Sequence, residues 1–415
     1  MTTEQFHTAL LQGRGSCFLA AKADPERYRD EVLWACRELV SFDTQCEGSR
    51  AWLIYKLVQL YPDRTPFVKA ACDALISCPS DGSWRVFSLA ELLELFFQDG
   101  DETAWKALMK KYRQLYHEIR YIGPPEDSIF WAARNDYEQL AVVLGWNRDH
   151  CTEIARDMGR LSLETEWCKD WPFDWFYDGK TRKYLRSLTK AAGSDPLLAE
   201  FLRVNESSWQ DLFAPRPKKR TRLPYHCQDQ DLIDAAVRTY LSASTPEEKV
   251  KALNAFHWTP YPGDPSPIIA DTQSDHEPLR IAAWNCLGDI RHPLVREYAL
   301  RHLDTCEGFA AFCANYEKTD KQLLLDRLRS VELDFEENTT WHGDQMAVRK
   351  MKNPPKEALQ YIYNTTFCAW CRWCTLEDMG KRRMLTNDLL EECLYDSNDD
   401  IRAYARRCLN RRKSR

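Results

Sequence analysis

The chain has 415 residues, 44% hydrophobic and 29% charged, which is the composition of a globular protein and not of a disordered one. Its 57 basic and 63 acidic side chains leave a net charge of −6, which excludes a generally basic nucleic-acid coat but not a local basic face. Fifteen glycines and twenty prolines exclude collagen-like and low-complexity classes, and at about 150 residues per domain the length allows two or three domains.

The opening MTTEQFHTAL has no basic stretch followed by an apolar one, so no secretory signal is expected. No uncharged apolar run approaches the roughly 18 to 20 residues of a membrane helix. The apolar stretch at 89–97, for instance, carries Glu91 and Glu94. The sequence therefore predicts a soluble cytoplasmic protein that does not enter a membrane. Sixteen cysteines run from Cys17 to Cys408. Many stand at apolar helical positions, as Cys36, Cys72 and Cys286 do, and are read as small packing residues in a reducing compartment.

Helical periodicity dominates. Leu89, Leu92, Leu93, Phe96 and Phe97 step by three and four, and so do Trp105, Leu108, Met109, Tyr112, Leu115, Tyr116 and Ile119. Each set forms one apolar stripe. A capping residue followed by proline marks helix starts at Asp24-Pro25, Asp195-Pro196 and Thr245-Pro246. Thr375 with Asp378 has the spacing of a capping box. There is no alternation of period two and no Asn-Gly hairpin turn. The chain is predicted to be all-α.

Further along, the segment at 167–178 (WCKDWPFDWFYD) interleaves aromatic groups with acids around Pro172. Trp171, Asp174, Trp175, Tyr177 and Asp178 are its candidate partner-binding residues. Aromatic faces beside carboxylates hold a cationic or peptide ligand through cation–π and charge contacts. The same composition also suits a loop that fills space between helices and leaves its acids in water. The stretch at 214–224 (APRPKKRTRLP) cannot continue a helix. We read it as a linker between a region at 1–213 and a region at 225–415. Charge changes across it: residues 1–213 hold 26 basic and 33 acidic groups, and 214–415 hold 31 and 30. Arg216, Lys218, Lys219, Arg220 and Arg222 make it the candidate contact for nucleic-acid phosphates, against the plainer reading of a solvated linker. Residues 259–267 (TPYPGDPSP) form a second proline-rich break.

Three segments, at 276–287, 292–303 and 398–409, share the frame aliphatic-Arg-x-x-Ala-x-x-x-Leu. The copies are Leu279-Arg280-Ala283-Leu287, Val295-Arg296-Ala299-Leu303 and Ile401-Arg402-Ala405-Leu409. The aliphatic positions make one stripe, and the alanine admits a neighbouring helix closely. The arginine falls at the stripe's edge, where it is expected to bond to carbonyls or acids of an adjacent repeat. The frame resembles the HEAT repeat, most closely at 275–290, where an acidic turn leads to Leu287-Gly288, and at 397–409. That resemblance implies a HEAT-like α-solenoid, a right-handed superhelix of stacked antiparallel helix pairs, with a more divergent N-terminal half. It also implies a concave surface that binds proteins, peptides or nucleic acids.

Cys368, Cys371 and Cys374 have the spacing that begins a metal site, with Cys393 or His342 as a fourth ligand. Without glycine or proline to open the backbone, they read better as one packed helix face, and no metal is assigned. The two His-Glu pairs, at 117–118 and 276–277, are too few for a di-iron centre. No nucleophile elbow, phosphate loop or His-Glu-x-x-His is present. The sequence thus predicts a protein-interaction scaffold without catalytic residues or cofactor, its partner another protein or peptide. The alternative is a nucleic-acid-binding protein or a HEAT-like DNA glycosylase.

Overall fold

The computed structural model describes residues 1–38, 41–42, 47–121, 128–145, 151–165, 168–169, 192–213, 227–331 and 339–414. Among them every regular element is helical. No helix there is long and apolar enough to cross a membrane. Contacts divide the chain into two compact units: Met1–Pro215 with Phe367–Trp370 and Thr386–Arg415, and Arg216–Thr366 with Cys371–Leu385.

The first unit contains α1 (Thr3–Gln12), α2 (Gly15–Ala23), α3 (Arg29–Glu38), α4 (Ala51–Val58) and α5 (Thr65–Ser77). It continues with α6 (Arg85–Gln98), α7 (Glu102–Tyr121), α8 (Ser128–Gly145), α9 (Cys151–Glu164) and α10 (Pro196–Phe213). The second contains α11 (Gln230–Ser242), α12 (Pro246–Leu253), α13 (Ser266–Asp271), α14 (Glu277–Leu287) and α15 (Pro293–Arg301). After these come α16 (Cys306–Ala314), α17 (Lys321–Ser330), α18 (Thr339–Lys350), α19 (Lys356–Thr365) and most of α20 (Ala369–Lys381). Then α21 (Asn387–Cys393) and α22 (Asp399–Lys413) return to the first unit.

The packing pattern follows from the stripes. On α7, Leu108, Tyr112, Leu115 and Ile119 are buried, with Trp105, Met109 and Tyr116 partly covered beside them. On α6, Leu89, Leu92, Leu93 and Phe96 are buried. A helix with a stripe this wide covers it against two neighbours. Accordingly α4 packs on α6, α5 on α6 and α7, and α6 on α7 and α8. In the second unit α12 packs on α14, α14 on α16, α16 on α18, and α17 on α19. Many of the helices thus meet their next-but-one neighbour.

The capping signals fare unevenly. Asp195 Oδ1 accepts from the backbone N–H of Leu197 (3.1 Å) and Leu198 (3.3 Å). Thr245 and Glu248 form a reciprocal capping box. Asp24, by contrast, ends α2. Thr375 sits in the middle of α20, where its hydroxyl donates to the Cys371 carbonyl (2.8 Å) one turn back. The capping-box reading of Thr375 and Asp378 is therefore corrected: the same spacing arises inside a helix when the hydroxyl back-bonds.

In all three repeat copies the first aliphatic position and the alanine are buried, with Ala283, Ala299 and Ala405 all at 0% exposure, while of the closing leucines Leu287 is buried and Leu303 and Leu409 are half-buried. The arginines divide. Arg296 reaches forward to Asn315 O (3.1 Å) and to both oxygens of Asp320 (2.7 and 2.8 Å), as expected of a link to a following element. Arg280 and Arg402 instead turn back to the carbonyls of their own leading turns, Ser274 O (3.1 Å) and Ser397 O (2.7 Å). The three alanines are fully covered by their neighbours. Ala283→Leu is therefore expected to cost about 1–3 kcal/mol by overpacking, read as a lower midpoint in urea. An unchanged midpoint would show the frame to be misplaced.

Within the first unit, residues from both ends of the chain share one buried network. Arg50 and Glu47 are both fully covered and pair with each other (3.1 Å). Arg50 also donates to Leu11 O (3.2 Å), Phe367 O (2.9 Å) and Ser397 Oγ (3.0 Å). Glu47 accepts from the backbone N–H of Ala369. Nearby, Arg14 pairs with Glu392 (2.7 Å), and Ser397 N–H donates to Gly13 O (2.8 Å).

Candidate functional site

A cavity of about 780 Å³ opens in the second unit among the turns before α15, between α16 and α17, and between α18 and α19. Its size falls in the range of small-ligand and peptide-anchor sites. One polar residue fixes its wall. The Asn315 amide donates to Ile290 O (2.8 Å) and Ala311 O (2.9 Å), and its carbonyl oxygen accepts from His292 N–H (2.9 Å). His292 in turn caps α15: Nδ1 accepts from Leu294 N–H (3.2 Å), which leaves Nε2 as the protonated nitrogen.

Five cations line this cavity: Arg291, Arg296, Lys318, Lys321 and Lys352. Two of them are matched locally. Arg296 is held by Asp320 (2.7 Å) and Glu317 (3.6 Å), and Lys321 by Glu357. The Asp320 bond raises the Arg296 pKa, and the same bond holds Asp320 below the usual carboxylate range. Glu357 is lowered by Lys321. Arg291, Lys318 and Lys352 are exposed and form no ion pair among the described residues. The surplus is positive, and Tyr316, Met351 and Pro355 add apolar wall. Such a site suits an anion with an organic flank.

A smaller cavity of about 360 Å³ in the first unit has the opposite character, lined by Glu91, Glu94, Asp399 and Asp400. Burial pushes the Glu91 carboxyl up to about 7, against the Ser49 hydroxyl that donates to it. A carboxyl titrating near neutral is a general-acid candidate. Here the adjoining aromatic surface is already used, because the Arg402 guanidinium lies 3.7 Å over the Trp52 ring. Two further carboxyls are raised by burial, Asp136 to about 7 and Asp344 to about 6. Both are fully buried and line neither cavity.

Of the residues singled out from the sequence, Arg296 lines the larger cavity and Arg402 the smaller. Trp171, Asp174, Trp175, Tyr177 and Asp178 lie outside the described residues, as do Arg216, Lys218, Lys219, Arg220 and Arg222. Cys368 and Cys371 are buried, and Cys374 is half-buried. Cys371 Sγ stands 3.3 Å from His342 Nδ1, yet no group of three or more His, Cys, Asp or Glu among the described residues is placed to hold a metal ion. His276 caps α14 by accepting from Leu279 N–H (3.3 Å). The basic cavity itself was missed because its cations are spread from 291 to 352, one or two to a turn. Only Arg296, through the repeat frame, pointed there.

Comparison of the chain with protein-family models, with curated proteins and with solved structures finds no match.

Proposed function

We propose that this protein is a non-catalytic interaction scaffold made of HEAT-like stacked antiparallel helix pairs. Its partner is a protein that inserts an acidic segment into the cavity at the turns of α15 to α19. The observation that carries this reading is the set of cations in that cavity with no local counter-charge. Next-but-one helix packing supports the stacked-pair architecture, since each unit of such an array is covered by the next. The forward link from Arg296 to Asp320 supports it too, because it ties one helix pair to the following one. Buried free thiols throughout the cores suit a reducing cytosol.

The test is affinity capture by the full chain from lysate of its own host, with nuclease added, comparing wild type with Lys318→Glu/Lys352→Glu. Both side chains are exposed, so the variant should melt with the wild type. A discrete protein retained after nuclease and lost with the variant is expected. Capture indifferent to the variant would remove the cavity from the interface, and capture that collapses with nuclease would replace the protein partner by nucleic acid.

A further inference from the structure

We propose that the cavity recognises a phosphate monoester, carried on a phosphorylated side chain of the partner's acidic segment. The inference rests on the reading above that this cavity takes such a segment, and it names the group that anchors it.

Charge decides between carboxylate and phosphate. After Arg296 and Lys321 are matched, the three cations Arg291, Lys318 and Lys352 remain. One carboxylate offsets one of them. The five cations stand against three acids, Glu317, Asp320 and Glu357, which leaves a surplus of two positive charges. A phosphate monoester, at about −1.5 to −2 at neutral pH with three acceptor oxygens, offsets it where one carboxylate does not.

Backbone geometry points the same way. Pro293, Lys321 and Glu357 all line the cavity, and they belong to the first turns of α15, α17 and α19. The N-terminal turns of three helices therefore border one space, each bringing the positive end of its dipole. The turn that leads into α17 is closed by a capping box of Glu317 and Asp320, and at α19, where Pro355 provides no side-chain cap, Glu357 accepts from its own backbone N–H. At α15 the cap is a neutral imidazole nitrogen, which adds no negative charge, and the ring keeps its Nε2 proton to donate. Helix N-termini joined to basic side chains are a recurrent means of holding phosphate. The cavity's about 780 Å³ is far more than one phosphate fills, so room is left for the residues that flank it, against Tyr316 and Met351.

The experiment is fluorescence anisotropy with the full chain and three labelled peptides of one sequence, bearing phosphoserine, serine or glutamate between flanking glutamates. Inorganic pyrophosphate serves as the competitor. The phosphoserine peptide is expected to bind at least about tenfold more tightly than the glutamate peptide. Lys318→Ala/Lys352→Ala should remove most of that difference and flatten the dependence on salt, while the variant melts with the wild type. Equal affinity for phosphoserine and glutamate peptides would overturn the phosphate anchor and leave the acidic-segment reading standing. Binding of neither peptide would overturn both. Tight pyrophosphate binding by titration calorimetry, without peptide binding, would overturn the peptide source and assign the cavity to a small phosphorylated metabolite.

Discussion

Replacing Arg50 with alanine is expected to destabilise the first unit by about 3–5 kcal/mol, the largest effect of any single substitution considered for this chain. The reason is the group left behind. Glu47 is fully covered, and Arg50 is its charge partner at 3.1 Å. Without the guanidinium, a buried carboxylate loses its charge partner. Three further acceptors, the carbonyls of Leu11 and Phe367 and the Ser397 hydroxyl, lose their donor at the same time. Exposed pairs provide the contrast. Arg301 and Glu297 are both more than half exposed, and their removal should change stability by less than about 1 kcal/mol. Urea denaturation followed by tryptophan fluorescence reads both. Arg50→Lys should recover only part of the loss, since an ammonium cannot reach four acceptors in the planar arrangement of the guanidinium. The double replacement Arg50→Met/Glu47→Leu should be milder than Arg50→Ala alone, because it removes both charges. If Arg50→Ala unfolds at the wild-type midpoint, the network does not hold the two ends of the chain together.

That network also marks the limit of what the sequence makes legible. Stripes such as Leu108, Tyr112, Leu115 and Ile119 are visible because their spacing is local, set by one helix period, and the structure buries them as expected. The repeat frame is legible for the same reason, and Ala283, Ala299 and Ala405 are all buried. Direction is less so. Arg296 goes forward to Asp320 while Arg280 and Arg402 turn back, since a long side chain takes whichever acceptors its own turn or the next one provides. Arg50 and Ser397 stand 347 positions apart, and nothing in either neighbourhood announces the other. The cationic cavity is hidden in a similar way: an Arg-His-Pro turn, a lysine at 318 and another at 352 each read as ordinary solvated surface until helix packing collects them. The conspicuous runs, aromatic at 167–178 and basic at 214–224, drew attention because composition is all a sequence displays. The residues chosen from them lie outside the described residues.

Gly15→Ala should lower stability by about 3 kcal/mol, at the upper end of overpacking effects, although simple helix propensity predicts the opposite sign. Gly15 is the first residue of α2, and alanine in a helix is ordinarily preferred to glycine by about 1 kcal/mol. The difference is what lies across from it. A Cβ at Gly15 would stand 2.0 Å from Glu392 O and 2.9 Å from the Tyr395 carbonyl carbon. Both are backbone atoms, one in the last turn of α21 and one just after it, so no rotamer change relieves the contact. Segment 392–397 is itself held by Arg14, Gly13 and Arg50. The strain must therefore displace α21 and α22 from α2 or distort the helix start. Gly193 is the control. Among the described residues no atom lies within 4 Å of its added Cβ, and its φ is ordinary, so Gly193→Ala should be neutral or slightly stabilising. Two readouts separate the outcomes. A lower urea midpoint with faster proteolysis within 386–415 would place the damage at the contact between α2 and α21, whereas a lower midpoint with unchanged proteolysis would place it in α2 itself. A Gly15→Ala protein as stable as the wild type would mean that α21 does not approach α2 this closely, and that the C-terminal helices are not part of the first unit's core.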